Sequence, residues 1–302
     1  MIRRSLSSSS LLRLLILMLC AATLAFLWGL HVTQKATARQ GALSAKAVEH
    51  LNLASIVGEN LRQLVDRAQA VGRVTQDDMK ALRQGNFSLV PSLAADPVFK
   101  RLSLYDRQGW LLAASHTDEA AELPADWLHQ LQRHIDRYGF KPFLPSIQPV
   151  SQNAASPTGR LPFLLPLTNS TGREIDNLLL VQLDVGYLAV LFQPIDLGNS
   201  GLVRLLQDDG LERLRIDNSG VVTAGDLLQP PLPALNTEAG MLTQYVAGDA
   251  YQSLYRHAPE HGFSVVVSQR QAEILAPSTL AYSRQFWLNL SMTLMILSLI
   301  HI

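Results

Sequence analysis

Two long apolar runs bracket the chain. Residues 14–30 carry no charged side chain, and residues 286–302 hold no Lys, Arg, Asp or Glu over about seventeen positions. That second run is just short of the roughly 20 residues that cross a bilayer core as a helix. It stops without the polar flank that normally settles at the lipid headgroups, so the expectation is a spanning helix cut short at residue 302. From residue 34 to about 84 there is no proline, and good helix formers dominate. Val57, Leu61, Leu64, Ala68 and Val71 recur there at spacings of four, three, four and three, which puts them along one stripe of a helix. Such a stripe is buried either against the domain that follows or, with a second side of the same helix, in a parallel dimer seam. Thr75 and Gln76-Asp77-Asp78 ahead of Met79 read as a fresh N-cap, predicting a break near Gly72.

After Gly85 the period changes to short β-prone runs between turn residues. Residues 101–105 and 110–115 predict a hairpin around Asp106-Arg-Gln-Gly109. Asp126 is placed to cap a helix over 127–138, and a loop rich in Pro, Ser, Asn and Gly follows over 142–159. Residues 161–168 and 177–183 read as strands joined across Asn169-Ser-Thr-Gly172, with Pro162 and Pro166 confining the first to a sheet edge. Asp184 then opens a short helix over 185–192. The layout repeats: 202–206, the turn Gln207-Asp-Asp-Gly210 and 211–216 match the earlier hairpin, each turn carrying an Asp with a Gly shortly after. A loop over 227–236 precedes three meandering strands at 241–246, 250–256 and 263–268. Residues 271–283 lead helically into the last apolar run, interrupted at Pro277.

Charge orients this pattern. Arg3, Arg4 and Arg13 precede the first apolar run, and the first acid after it is Glu49, which places the N-terminus in the cytoplasm and the following segment outside. A cleavable signal peptide has a similar look, with Ala21-Ala22-Thr23 near a possible cleavage point. The length of the run and the second run at Phe286 favour an anchor. Lys+Arg and Asp+Glu balance at 25 each, so nothing points to a nucleic-acid surface. The one cysteine, Cys20, lies in the first run. The region between the runs therefore has no disulfide, thiolate nucleophile or cysteine metal site, and holds together by packing.

Catalytic patterns are missing. There is no nucleophile elbow, no His-Glu-x-x-His, no phosphate loop and no dinucleotide fingerprint. His129 and His134, five apart, do not share a helical face well enough for a metal pair. His116, His129, His134, His257 and His261 read as surface residues, and Asn169-Ser-Thr171 as a turn. No metal, cofactor or catalytic residue is expected.

The local wording adds a resemblance. Leu102-Ser-Leu-Tyr-Asp-Arg-Gln-Gly109, Leu180-Val-Gln-Leu-Asp-Val-Gly-Tyr-Leu188, Asp196-Leu-Gly-Asn-Ser-Gly-Leu202 and Leu205-Leu-Gln-Asp-Asp-Gly210 resemble the double Cache sensor domain over about residues 33–280. These extracytoplasmic modules, related to the PAS fold, occur in bacterial membrane receptors, including diguanylate cyclases and phosphodiesterases. The resemblance implies an α+β fold with two tandem PAS-like modules built on antiparallel sheets, a long N-terminal helix and two transmembrane helices. The segments would be a cytoplasmic N-terminus (1–13), a first transmembrane helix (14–32), a helical stalk (33–84), a membrane-distal module (85–195), a membrane-proximal module (196–270), a connector (271–285) and a second transmembrane helix (286–302). It further implies a two-pass protein of the bacterial inner membrane with residues 33–285 in the periplasm, a homodimer through the N-terminal helix, and a small-molecule ligand in the distal module. The signal would pass to a cytoplasmic cyclase, phosphodiesterase or kinase domain.

Amino-acid-binding members carry an Arg-x-Trp-Tyr type cluster and a later Asp that receives the ligand ammonium. Asp184 matches the Asp, whereas Arg133-His-Ile-Asp-Arg-Tyr138 does not reproduce the cluster. The candidate ligand residues are Asp184 for a cationic group, Arg160 for a carboxylate, and Tyr138 and Trp127 as flanking aromatics. Each has a plainer reading beside it: Asp184 as a helix N-cap, Arg160 as a solvated cation, Trp127 and Tyr138 as core or rim. The contrasting expectation is a membrane-anchored protein-interaction module with no small-molecule pocket. A closed, fully packed first module would favour that; a polar-lined cavity near these residues would favour a receptor.

Overall fold

The computed structural model describes residues 8–82, 98–145, 160–184, 186–188, 197–219, 222–224, 235, 237–246 and 248–301. It divides into two compact units, one of Met1–Val48 with Gln271–Ile302 and one of Glu49–Arg270. Helix α1 (Ser8–Leu82) contributes to both. The predicted end of the 185–192 helix and most of the 142–159 and 227–236 loops lie outside the described residues.

In the Glu49–Arg270 unit the predicted stripe is the spine of the core. Val57, Leu61, Leu64 and Ala68 are buried, joined by Ala54 and Val65, with Val71 packed at the edge. The expected break near Gly72 does not occur, and α1 runs through it. A methyl at Gly72 would lie 2.7 Å from Leu179 Cδ2 and 3.1 Å from Leu167 Cδ1, so this glycine lets a sheet approach the helix closely. Thr75, read as a cap, instead turns its hydroxyl back onto the Val71 carbonyl at 2.9 Å, a bond available inside a helix.

The first sheet comprises β1 (Phe99–Asp106), β2 (Leu111–Ala114), β3 (Arg160–Thr168) and β4 (Ile175–Asp184), in the order β2-β1-β4-β3 and antiparallel throughout. Leu102, Leu104, Phe163, Leu165, Leu179 and Val181 face α1. Tyr105, Leu164, Leu178 and Leu180 face the other way, under helix α2 (Ala125–Tyr138). Asp126 lies in the first turn of α2 rather than at its cap, which is Pro124 without a side-chain cap bond. The carboxylate there still opposes the positive end of the helix dipole. β3 takes the edge its prolines predicted. Leu164 exchanges both backbone hydrogen bonds with Phe143 on the outer side. Pro162 and Pro166 share its parity, so their missing N–H groups also face outward, away from β4.

The second sheet comprises β5 (Leu202–Gln207), β6 (Glu212–Asp217), β7 (Val222–Ala224), β8 (Ala239–Val246), β9 (Asp249–Ala258) and β10 (Phe263–Arg270), in the order β7-β6-β5-β10-β9-β8. The short β7 has no counterpart among the predicted strands. The doubled hairpin is real in detail. Tyr105 faces Leu111 after a register shift in the first, and Leu206 faces Glu212 after the equivalent shift in the second. Gly109 and Gly210 take positive φ of 93° and 80° at corresponding turn positions, a conformation that costs a side chain strain. Val203, Leu205, Leu214, Ile216, Val265 and Val267 join the same cluster as α1 and the first sheet.

In the other unit, helix α3 (Gln271–His301) runs alongside α1. Pro277 sits within it and does not interrupt it; losing one backbone donor is outweighed by the helical run on either side. The Trp28 indole donates to Thr293 Oγ1 at 3.2 Å, the Tyr282 hydroxyl donates to the Gln34 carbonyl at 3.0 Å, and Trp28 meets Phe286 edge-on at 5.6 Å. Pairing 28 with 293 and 34 with 282 makes the two helices antiparallel. By length and composition α1 can cross a membrane, and among the described residues it is the one helix that meets that test.

Because one stripe serves both sheets, Leu61→Ala is expected to cost about 2–5 kcal/mol and to lower both modules in a single denaturant transition. The same change at exposed Ile56 on that helix should stay within about 0.5 kcal/mol. Two separated transitions in the Leu61 variant would contradict the shared core.

Candidate functional site

Helix α2 has two contrasting faces. Trp127, Leu128, Leu131 and Ile135 cover the first sheet. Gln130, Arg133, His134 and Arg137, at helical spacing, turn with Tyr138 toward the β5–β6 hairpin. With Phe143, Asp209, Leu211 and Arg213 they line a cleft of about 400 Å³. Its floor is braced. The Tyr138 hydroxyl donates to the Asp208 carbonyl at 3.0 Å, and the Lys141 ammonium reaches Asp208 Oδ2 at 3.4 Å. Asp209 Oδ2 holds the Arg213 guanidinium at 2.7 Å.

Gln207, at the end of β5, orders the wall. Its Oε1 accepts from the Leu144 backbone N–H at 3.3 Å and from Arg213 Nε at 3.4 Å. Both partners are donors, which assigns the amide orientation, so Gln207 Nε2 donates to His134 Nδ1 at 3.1 Å. The neutral imidazole then carries its proton on Nε2, a buried atom with no hydrogen-bond partner among the described residues. Burial pushes the His134 pKa down to about 4, against the pull of the Asp208 carboxylate. Its ring lies 5.1 Å from Tyr138 and 5.2 Å from Phe143. Burial also raises the Tyr138 hydroxyl.

Arg133 and Arg137 are exposed and have no ion-pair partner among the described residues, although the Arg137 guanidinium lies 5.4 Å over the Tyr138 ring. Three guanidiniums, a buried imidazole donor and two aromatic rings face one carboxylate. That set is suited to a small organic anion whose carboxylate or phosphate takes bidentate bonds from arginine. No group of three or more His, Cys, Asp or Glu side chains that could hold a metal occurs among the described residues.

Of the residues singled out in the sequence, Tyr138 lines this cleft. Trp127 lies on the opposite face of the same helix, packed with Leu131 and Tyr105. Asp184 and Arg160 are register partners at one end of the β3–β4 pair, and neither lines the cleft. Asp184 Oδ1 accepts from the N–H groups of Gly186 and Tyr187 at 2.8 and 3.3 Å, and its Oδ2 meets Lys100 at 2.8 Å. Burial alone would raise its pKa; Lys100 and the two amides outweigh it and hold the carboxyl below its ordinary range. Arg160 is exposed and donates to Gln182 Oε1 at 3.3 Å.

The expectation of surface histidines holds for His116 and His129 but not for His134 and His261, which are buried. His134 is closed in by Phe143 and Gln207, from elements outside its own helix. His261 is held by Asp66 of α1 at 2.8 Å. Sequence reasoning passed over Arg133 and Arg137, although two cations on the polar face of an amphipathic helix with few acids are a legible signal. Arg213 gave none, because its burial follows from the register shift between Leu205 and Leu206, which makes it the bulge residue between Glu212 and Leu214.

No protein-family model matches the chain, and no curated protein matches its sequence. Solved structures do. The extracellular domain of rpHK1S-Z16, assigned as a histidine kinase, superposes with a TM-score of 0.57 at 18% identity, covering 77% of this chain and 98% of that one. The ligand-binding domain of the Pseudomonas fluorescens chemoreceptor CtaA, in complex with L-isoleucine, gives 0.49 at 12% identity, covering 81% and 98%. The periplasmic domain of RsbU from Chlamydia trachomatis gives 0.45 at 12% identity, with the same coverage. The fold is that of the rpHK1S-Z16 extracellular domain, α+β with a long N-terminal helix and two antiparallel sheets.

The His134 environment has a consequence for stability. Between pH 6.5 and about 4 the unfolded chain takes up a proton that the folded protein refuses. The stability contribution is therefore full above pH 6.5 and is lost as pH falls toward 4. His134→Gln is expected to flatten this part of the curve in urea titrations between about pH 7 and about pH 5. Parallel curves for the two proteins would assign the titration elsewhere.

Proposed function

We propose that the chain is the ligand-sensing region of a two-pass receptor of the bacterial inner membrane, with residues 33–285 in the periplasm. A small organic anion binds between α2 and the β5–β6 hairpin, and the response passes through α3 to a cytoplasmic output domain of the cyclase, phosphodiesterase or kinase type. The observation that carries this reading is the arginine-lined cleft itself. It is built from both sheet modules, and both modules pack on one helix, so a ligand that draws its walls together acts on α1. A polar-lined cavity also favours a receptor over an interaction module that merely docks a protein partner.

The membrane arrangement rests on α1 and α3. Leu14, Leu15, Ile16, Leu17, Met18 and Leu19 on one helix, and Trp287, Leu288, Leu294 and Met295 on the other, are exposed, as lipid-facing side chains would be. Antiparallel packing of α3 on α1 supports a return through the bilayer even though its charge-free run is short. A homodimer through α1 completes the proposal, leaving its solvent-facing side for a second copy. Asp184 and Arg160 sit as register partners at the strand end of the distal module. There they would meet a ligand only if it bound at that end, with Trp127 as core rather than stacker.

Thermal-shift measurements on residues 34–280 against small carboxylates and phosphorylated metabolites test the reading. A ligand at about 100 times its Kd adds about 2.7 kcal/mol, or roughly 5–10 °C in a domain of this size. Arg133→Gln with Arg137→Gln should abolish the shift while leaving the unliganded Tm within about 2 °C. No stabilisation by any compound across a broad panel would remove small-molecule sensing from consideration.

A further inference from the structure

A second cationic pocket lies in the unit formed by the chain ends. Its volume is about 300 Å³, and it is lined by His31, Lys35 and Arg39 of α1 and by Leu275, Ser278, Thr279, Tyr282, Ser283, Phe286 and Trp287 of α3. His31, Lys35 and Arg39 stand at i, i+4 and i+8 and share one helix face. No acidic side chain lines the pocket, and the first acid along α1 is Glu49. His31 is 8% exposed, and its Nδ1 is buried with no hydrogen-bond partner among the described residues. Trp28, Tyr282 and Phe286 surround its ring at 5.9, 6.2 and 6.3 Å between centroids.

The depth of this pocket decides its occupant. The apolar run of α1 ends at Leu30. At 1.5 Å per residue, Lys35 lies about 7–8 Å farther along the axis and Arg39 about 13–14 Å. The first distance reaches the outer edge of the headgroup layer, about 5–7.5 Å deep, and long lysine and arginine side chains reach back into it. Trp28, Tyr282, Phe286 and Trp287 provide the aromatic belt found at that level. A solvent-filled cleft would have little reason to set an exposed tryptophan, 66% accessible at Trp287, beside two cations that have no ion-pair partner among the described residues. An acyl chain against the indole and a phosphodiester beside the cations account for both.

We propose that this pocket holds the headgroup phosphate of an anionic phospholipid. Lys35 and Arg39 supply charge and bidentate bonds, the hydroxyls of Ser278 and Thr279 line the rim, and the buried imidazole of His31 provides a further polar contact. The lipid clamps α1 to α3 where they leave the membrane. The inference rests on the membrane reading above and is independent of the anion cleft.

The test uses the 302-residue chain in nanodiscs of equal parts phosphatidylcholine and phosphatidylglycerol, with native mass spectrometry counting the lipids retained by the protein. Phosphatidylglycerol is expected to be enriched over its bulk ratio. The enrichment should fall about fivefold for each basic residue lost in Lys35→Gln and Arg39→Gln, and by a few-fold in His31→Phe. Arg284→Gln removes an exposed charge nearby that does not line the pocket, and it should retain the enrichment. Glycerol phosphate added to pure phosphatidylcholine discs should bind no more tightly to the parent than to the Lys35/Arg39 double variant. Tighter binding to the parent would make the site one for a free phosphate and overturn the lipid assignment. Equal enrichment in parent and double variant, or equal loss in Arg284→Gln, would also overturn it. A chain that fails to enter the discs would refute the membrane reading instead.

Discussion

The rest of the structure depends on one face of one helix. Val57, Leu61, Leu64, Val65 and Ala68 of α1 bury against leucines of the first sheet and against valines of the second within a single cluster. A fully buried leucine contributes about 1.5–3 kcal/mol, so these few side chains outweigh any surface ion pair on the same helix. Arg62 with Glu59 and Asp66 forms an exposed network whose worth is small by comparison. Gly58, with Val265 at 3.8 Å from where its Cβ would be, and Gly72, against Leu179 and Leu167, set how closely each sheet approaches. Both sheets pack on this face, so displacement of one is felt by the other through α1.

Much of this was legible in the sequence, for physical reasons that also explain the rest. The stripe on α1, the doubled hairpin and the edge position of β3 come from side-chain period, from glycines that need positive φ, and from prolines that lack a donor. All three are local. The misreadings share a cause. Gly72 and Thr75 have the local chemistry of a helix break, but tertiary packing gives them other work; Pro277 has the chemistry of a stop, but lies inside a long helical run. His134 looked like a surface histidine because its own helix leaves it on the polar face, and it is buried by Phe143 and Gln207 from elsewhere. Tyr138 could be singled out, whereas the cleft around it joins α2 to a hairpin some 70 positions away, at the Tyr138–Asp208 bond, a distance over which no periodicity speaks.

Charge shows the same division between global and local. The chain is neutral overall, with 25 charges of each sign, and that balance says nothing of where the charges gather. It concealed two sites where cations gather around a buried histidine. Both place basic side chains on a helix face beside aromatic rings, and both leave an imidazole nitrogen buried with no hydrogen-bond partner among the described residues. Carrying such groups without a ligand costs free energy, because a buried donor or acceptor loses its water. The second sheet shows a buried cation that is largely provided for: Arg204 meets Ser268 Oγ at 2.7 Å, Glu212 at 3.8 Å and the Gln244 side chain, with its Nε alone lacking a hydrogen-bond partner among the described residues.

The bracing of the cleft limits how a ligand could act. Tyr138 and Lys141 are tied to Asp208, the Asp208 N–H is tied to the Gly262 carbonyl, and the adjacent His261 is tied to Asp66 of α1. These bonds form one continuous connection from α2 to the central helix. A ligand biases an equilibrium only through contacts that differ between its two states. Differential grip must come from groups that are not yet engaged. Arg133 and Arg137 are those groups, exposed at the mouth of the cleft opposite Arg213. An anion that bridges them to Arg213 would shorten the gap between α2 and the β5–β6 hairpin, and the braced connection would carry that displacement to the buried face of α1.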